Sequence, residues 1–141
     1  MAKINWRQVV LGGFLWVIAF NVMWLSAWFL FLRTEWLSEF AALGRTWPEA
    51  YSSLALWLVL TFVGGVFAIW LYAAIRPHYG PGPKTAAYAG FALWLISGLG
   101  PTVWSGHILA LPTGLVMSTV ATGLVADVVA TVLAAWPYKE T

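Results

Sequence analysis

Asp127 is the one formal charge set well inside an apolar stretch of this 141-residue chain. It lies nine residues before Trp136, roughly 13 Å from the end of a helix that rises 1.5 Å per residue. An ionised carboxylate at such a depth in hydrocarbon costs about 2.5–3.5 kcal/mol, so the side chain is expected to face protein or water. Two roles suit that placement: a proton- or cation-sensitive relay, or a polar clamp that fixes helix register. The clamp is the simpler of the two. Asn21 falls at a similar depth in the first apolar run, so an Asn21–Asp127 hydrogen bond is expected, with Thr61 or Ser97 nearby. Such bonds between membrane helices contribute about 0.6–2 kcal/mol.

The other polar residues form no catalytic set. His78 and His107 belong to opposite ends of the apolar runs and cannot share a metal or ligate one haem. A single axial ligand at His107 to a pigment or haem stays open beside the simpler reading of an interfacial histidine. The chain has no cysteine, which removes thiolate metal sites, disulfides and thiol catalysis. The stretch 76–84, RPHYGPGPK, is glycine-rich and basic. Its spacing is not that of a phosphate loop, and its prolines remove backbone donors that a phosphate cradle needs. It reads as a rigid reversal in which Arg76 closes one helix at the negative end of its dipole. Lys84 then opens the next, within reach of phosphate headgroups. No enzyme is expected, because a buried acid without a nucleophile or paired base falls short of the usual sets.

Apolar runs at approximately 8–32, 53–75, 85–109 and 112–136 must position these groups. Runs of 18 or more match a hydrocarbon layer of roughly 30 Å, and in lipid each must be a helix to satisfy its own backbone. Hydrophobic residues make up 62% of the chain and charged residues 9%, about a third of the charged share in soluble domains. A soluble fold is excluded. The expected fold class is all-α: one domain, an integral membrane four-helix bundle. The net charge of +2 does not point to nucleic acid, because the basic residues are scattered at helix ends. Lys3, Arg7, Arg76, Lys84 and Lys139 fall on one side, and Arg33 and Arg45 on the other. This bias places both termini in the cytoplasm. The first run is longer than a cleavable signal segment and reads as a retained helix.

Between the first two runs, residues 34–44 are expected to form a separate outer interfacial helix. Thr34 would cap it, Trp36, Phe40 and Leu43 would share one face, and Gly44 would stop it. An irregular loop with dipped aromatics is the alternative. Trp47, Pro48 and Glu49 then restart the chain. Trp36 and Trp136 belong to an interfacial aromatic belt and serve as anchors with Arg76 and Lys84. Trp16, Trp24, Trp28, Trp57, Trp70 and Trp94 lie deeper. They could fill gaps, contact a partner subunit, or pack against a pigment, quinone or sterol-like lipid, and no cofactor motif decides among these. A short repeat is visible: Arg7, Gly13-Phe14 and Trp16, then Lys84, Gly90-Phe91 and Trp94. Two parallel helical hairpins related by a pseudo-twofold would produce it.

In the fourth run Thr119, Gly123, Asp127, Thr131 and Ala135 recur every four residues, beside Ser118, Thr122, Ala126, Ala130 and Ala134. Two such rows make a smooth strip for close helix approach, with Asp127 in its middle. Leu115, Val125, Val129 and Leu133 are expected to point elsewhere. Gly64, Gly65 and Ala68 offer a second small-residue contact. The segment 98–101, GLGP, is expected to kink or end the third helix.

The run IWLYAAIRPHYGPGPKTA at 69–86, with LGR at 43–45 and AWPYKE at 135–140, resembles a group of small bacterial membrane proteins with four spans. Members of that group carry a carboxylate in the last span, where this chain has Asp127. Pro137 departs from the usual leucine of the final motif and is expected to shorten the last helix. The resemblance implies a multi-pass protein of the bacterial inner membrane and supplies no activity. The first functional expectation is a non-catalytic accessory or structural subunit, packed in lipid against other membrane proteins or itself, as in a respiratory or photosynthetic complex. The alternatives are a small transporter or channel using Asp127, and a lipid, quinone or pigment binder.

Overall fold

Asn5 opens the first helix by accepting the Gln8 amide on its side-chain oxygen at 3.2 Å, which satisfies one of the orphan donors of a helix start. The helix then runs without a break over Trp6–Ala42. It comprises α1 (Trp6–Ala27), a π-helical turn over Trp28–Leu32, and α2 (Arg33–Ala42). Span two is α3 (Tyr51–Tyr79). Span three joins α4 (Pro83–Leu93), a second π segment over Trp94–Leu99, and α5 (Gly100–Ile108); span four is α6 (Thr113–Ala135). All four spans are long and apolar enough to cross a membrane. The computed structural model describes residues 4–48 and 50–139. Lys3, Glu49 and Glu140, used above for topology, loop and motif, lie outside the described residues.

The spans pack as an up-and-down ring in chain order, with span four closing onto span one. The fold is an all-α four-helix bundle. Its described ends meet on one side: the Asn5 amide donates to the Tyr138 hydroxyl at 3.1 Å, and the Asn5 side chain donates to the Lys139 carbonyl at 3.2 Å. Gly13 and Gly90, equivalent positions of the short repeat, do equivalent work. A Cβ on Gly13 would come within 2.6 Å of the Val66 side chain, and one on Gly90 within 2.8 Å of the Asp127 carbonyl oxygen. Each glycine lets the first helix of a hairpin approach the backbone of the second.

Two boundaries differ from the sequence reading, and a third segment takes one of its two expected forms. Residues 34–44 are not a separate helix capped by Thr34, because α2 continues span one through the π turn. In a straight α-helix, positions four apart drift by about 40°, so Trp36 would end about 200° round from Trp16. A π turn takes more residues per turn and slows that drift, which keeps Leu32 and Trp36 on the side of span four. Leu32 is accordingly buried against Leu115. Gly44 does end the helix, at φ +68, with the paired bonds Gly44 N to Ala41 O and Arg45 N to Phe40 O, both 2.9 Å, of a Schellman motif. Span two does not stop at Ile75 but continues through Arg76 and Pro77 to Tyr79. Proline in a last turn deprives a single carbonyl of its partner, so the reversal shrinks to residues 80–82. The segment 98–101, expected to kink or end span three, disturbs the helix without ending it. Pro101 cannot donate to the Ser97 carbonyl, and the backbone accommodates it by widening into the π register. Gly98 leaves room for the Trp94 ring, which a Cβ would meet at 2.8 Å. The Ser97 hydroxyl donates to the Leu93 carbonyl at 2.9 Å.

The turn between spans three and four repeats the Schellman geometry with Ala110 at φ +51. Its bonds are Ala110 N to His107 O at 3.2 Å and Leu111 N to Gly106 O at 2.9 Å. A side chain in this region costs roughly 1–2 kcal/mol, whereas glycine adds about 0.4–1 kcal/mol of unfolded-state entropy. The strain is the larger effect. Ala110→Gly is expected to stabilise the protein by about 0.5 kcal/mol, read as a small rise in thermal midpoint in detergent.

Packing is tightest towards the chain ends. Val9, Ala68, Ile69, Ala89 and Ala130 have no accessible surface. The opposite half is looser, and residues 51–60 of span two are exposed at every position except the half-buried Ser53.

Candidate functional site on the fourth span

The inner face of α6 carries three of the five buried polar side chains among the described residues, Thr119, Asp127 and Thr131. Thr119, Gly123, Ala126, Asp127, Ala130, Thr131, Ala134 and Ala135 are buried there. Val125, Val129 and Leu133 face outward, but Leu115, expected to do the same, is 1% exposed. It lies four residues before Thr119 on the same helical row, so it extends the strip.

Three tryptophans from neighbouring spans donate into this strip. Trp16 Nε1 reaches Thr131 Oγ1 at 3.0 Å, Trp36 Nε1 reaches Thr119 Oγ1 at 3.1 Å, and Trp94 Nε1 reaches the Val120 carbonyl at 3.0 Å. A buried indole N–H needs an acceptor, and hydrocarbon offers none. The threonines supply it because a hydroxyl can accept and donate together. Thr131 donates onward to the Asp127 carbonyl at 2.6 Å and Thr119 to the Leu115 carbonyl at 2.8 Å. Trp36, expected at the outer interface, is therefore turned inward. The sequence reading missed this set of indole bonds. Its signal was present in Thr119 and Thr131, the hydroxyls on Asp127's own row.

Asn21 and Asp127 do not meet. The Trp16–Thr131 bond sets the antiparallel register, so Asn21, five residues further along α1, is indeed about level with Asp127. Those five residues also turn it about 140° away from Trp16, towards span two. There Asn21 accepts the Trp57 indole at 2.8 Å and donates to the Val17 carbonyl at 2.8 Å. Thr61 and Ser97 donate to the Leu58 and Leu93 carbonyls of their own helices. Asp127 is 5% accessible, and among the described residues its carboxyl makes no hydrogen bond or ion pair; only its backbone carbonyl is engaged.

No family model, curated protein or solved structure matches the chain.

The remaining candidates divide by place. Gly65 and Ala68 are buried, and a Cβ on Gly65 would meet the Gly13 carbonyl oxygen at 2.8 Å. Gly64 has open space where its Cβ would stand, so it faces away from the contact. A Cβ on Gly123 would meet the Trp94 ring at ordinary contact distance, 3.6 Å. At the terminal end the Arg76 guanidinium lies 5.5 Å from the Tyr138 ring centre and 6.0 Å from that of Tyr72, and Lys84 Nζ lies 6.0 Å from that of Tyr88. Trp136 is exposed. His107 is exposed beside Trp104, with ring centres 6.3 Å apart. His78 is exposed at the other end, and no three metal-ligating side chains gather among the described residues.

Proposed function

We propose that the chain is a non-catalytic membrane subunit that presents the outer half of span four to a helix of another membrane protein. One observation carries this reading. The row Ser118, Thr122, Ala126, Ala130 and Ala134 is used by the chain only in part: its three alanines are buried, while Ser118 is exposed and Thr122 half-exposed. Gly114, one step further along the row, has open space around it. Ser118 and Thr122 border a cleft of about 420 Å³ with Met23, Ala27 and Phe31. Small residues let helix backbones approach in lipid, and hydroxyls can bond across such a contact. Three of the six deep indoles, Trp16, Trp57 and Trp94, support the same reading, since they and Trp36 already donate within the chain. A pigment or quinone would find those donors occupied. The described basic residues Arg7, Arg76, Lys84 and Lys139 lie at the terminal end, which favours that end as the cytoplasmic one in a bacterial inner membrane.

A photo-crosslinking residue at Thr122 is expected to yield a protein adduct after extraction in mild detergent, and one at the outward Leu133 to yield none. Recovery of an uncrosslinked monomer from both sites would remove the proposal.

A second reading rests on Asp127, whose buried carboxyl lacks a partner among the described residues. It makes the protein a small transporter in which that carboxyl takes up a proton or cation. Proteoliposomes are then expected to lose flux in Asp127→Asn, measured with an internal pH or sodium dye. Flux equal to that of the parent protein would remove this reading.

A further inference from the structure

The α6 row that carries Asp127 is closed differently on its two sides. Towards the termini the closure is backbone against backbone. A Cβ on Gly90 would stand 2.8 Å from the Asp127 carbonyl oxygen, and one on Gly12 would stand 3.3 Å from the Ala134 carbonyl oxygen. Ala130, Thr131 and Ala134 along this stretch are at most 1% exposed. Packed backbone cannot swing aside as a side chain can. Away from the termini the row is closed by two indoles. Trp94 donates to the Val120 carbonyl at 3.0 Å, and a Cβ on Gly123 would meet its ring at 3.6 Å. One turn further out, Trp36 donates to Thr119 at 3.1 Å. Both rings belong to one apolar cluster with Leu111, Val116 and Val120.

Each indole is carried by irregular helix. Trp94 opens the π segment Trp94–Leu99, and Trp36 follows the π turn Trp28–Leu32 on α2. Such segments are rare and recur at functional sites. No residue of α2 is buried, and among the described residues the Trp36–Thr119 bond is the one hydrogen bond that ties it to another span. We propose that Trp36 and Trp94 form a two-step gate, and that Asp127 is reached through it from the end away from the termini alone. What passes is a hydrated proton or a small cation, because the row offers it the Thr119 hydroxyl and then the carboxyl, both able to accept or coordinate through oxygen. The purpose of the gate rests on the second function given above, to which it adds an entrance and a direction.

The chain has no cysteine, so Asp127→Cys places a single thiol at the end of the route. Silver ions bind thiols and do not cross lipid, and thiols left free are counted with a maleimide dye after denaturation. Spheroplasts and inverted vesicles expose opposite faces, and a C-terminal tag assigns the face of the termini. Silver is expected to reach the thiol only from the other face. Thr119→Val and Trp36→Phe each remove the outer bond and are expected to raise that rate about tenfold, the middle of the range that one polar bond between membrane helices sets. Trp57→Phe breaks an indole bond to Asn21 that lies off the row and is expected to leave the rate unchanged. Reaction from the face of the termini, or a rate that neither Thr119→Val nor Trp36→Phe alters, overturns the gate, as does an unreactive thiol in every variant. Flux separates the two claims. If Asp127→Asn abolishes flux while labelling ignores Thr119 and Trp36, the gate falls and transport stands. Labelling that follows both residues while Asp127→Asn leaves flux intact supports the gate and removes transport.

Discussion

Gly90→Ala is expected to be among the most destabilising single-atom additions this protein can suffer. The new Cβ would stand 2.8 Å from the Asp127 carbonyl oxygen, 2.9 Å from Thr131 Oγ1 and 2.9 Å from the Val128 Cα. Two of those neighbours are backbone, and the third is fixed by its bonds to Trp16 and to the Asp127 carbonyl. None can rotate away, so spans three and four must separate. The cost should fall at the upper end of the roughly 1–3 kcal/mol typical of overpacking. It should also loosen the indole bond at Thr131. Gly64→Ala is the matched control: its Cβ enters open space, and a helical alanine there should stabilise by about 0.4–1 kcal/mol. Unfolding both variants in a denaturing detergent, followed by circular dichroism, compares them directly. Equal stabilities would mean that the close approach at Gly90 is not as described.

That contrast shows what the residues disclosed by themselves. Gly64 and Gly65 are adjacent and identical in composition, so no reading of residue type could tell which one faces a neighbour. The four spans were legible because length and apolar content decide them in lipid. Burial of the Thr119–Asp127–Thr131 row was legible for a related reason: small and polar residues at four-residue spacing cannot all face acyl chains. The Asn21 assignment erred in azimuth, not in depth. Depth follows from counting residues, whereas facing depends on which neighbour each helix turns towards. The two π segments left no mark of their own in the residues. Pro101 announced a disturbance in span three but not its form, and nothing comparable precedes Trp28–Leu32. Trp36 turns inward only because that segment alters the drift of the helix.

Trp16→Ala is expected to cost about 3–5 kcal/mol, the range for removing a buried large aromatic. Trp16 is 2% exposed and stacks on Phe20 at 4.6 Å between ring centres, so its loss opens a cavity in the tightest part of the bundle. Finer variants separate the ring from its N–H. Trp16→Phe keeps a ring over Phe20 and leaves Thr131 still donating to the Asp127 carbonyl, so no polar group is stranded. Thr131→Val preserves shape but leaves the indole N–H buried without an acceptor, a penalty of about 1–3 kcal/mol. In the double variant neither partner remains to be stranded, so it should cost less than the sum of the two single variants. The shortfall measures the bond itself, expected near 0.6–2 kcal/mol for a polar pair between membrane helices. Equilibrium unfolding of the four proteins gives the number. Costs that add to within about 0.3 kcal/mol would mean that Trp16 and Thr131 are near one another without being coupled. The inner face of span four would then be held by shape alone. If they are coupled, the same threonine both orders the indole and closes the carbonyl of Asp127. A change at either residue should then be felt at Asp127, whose carboxyl the bundle encloses.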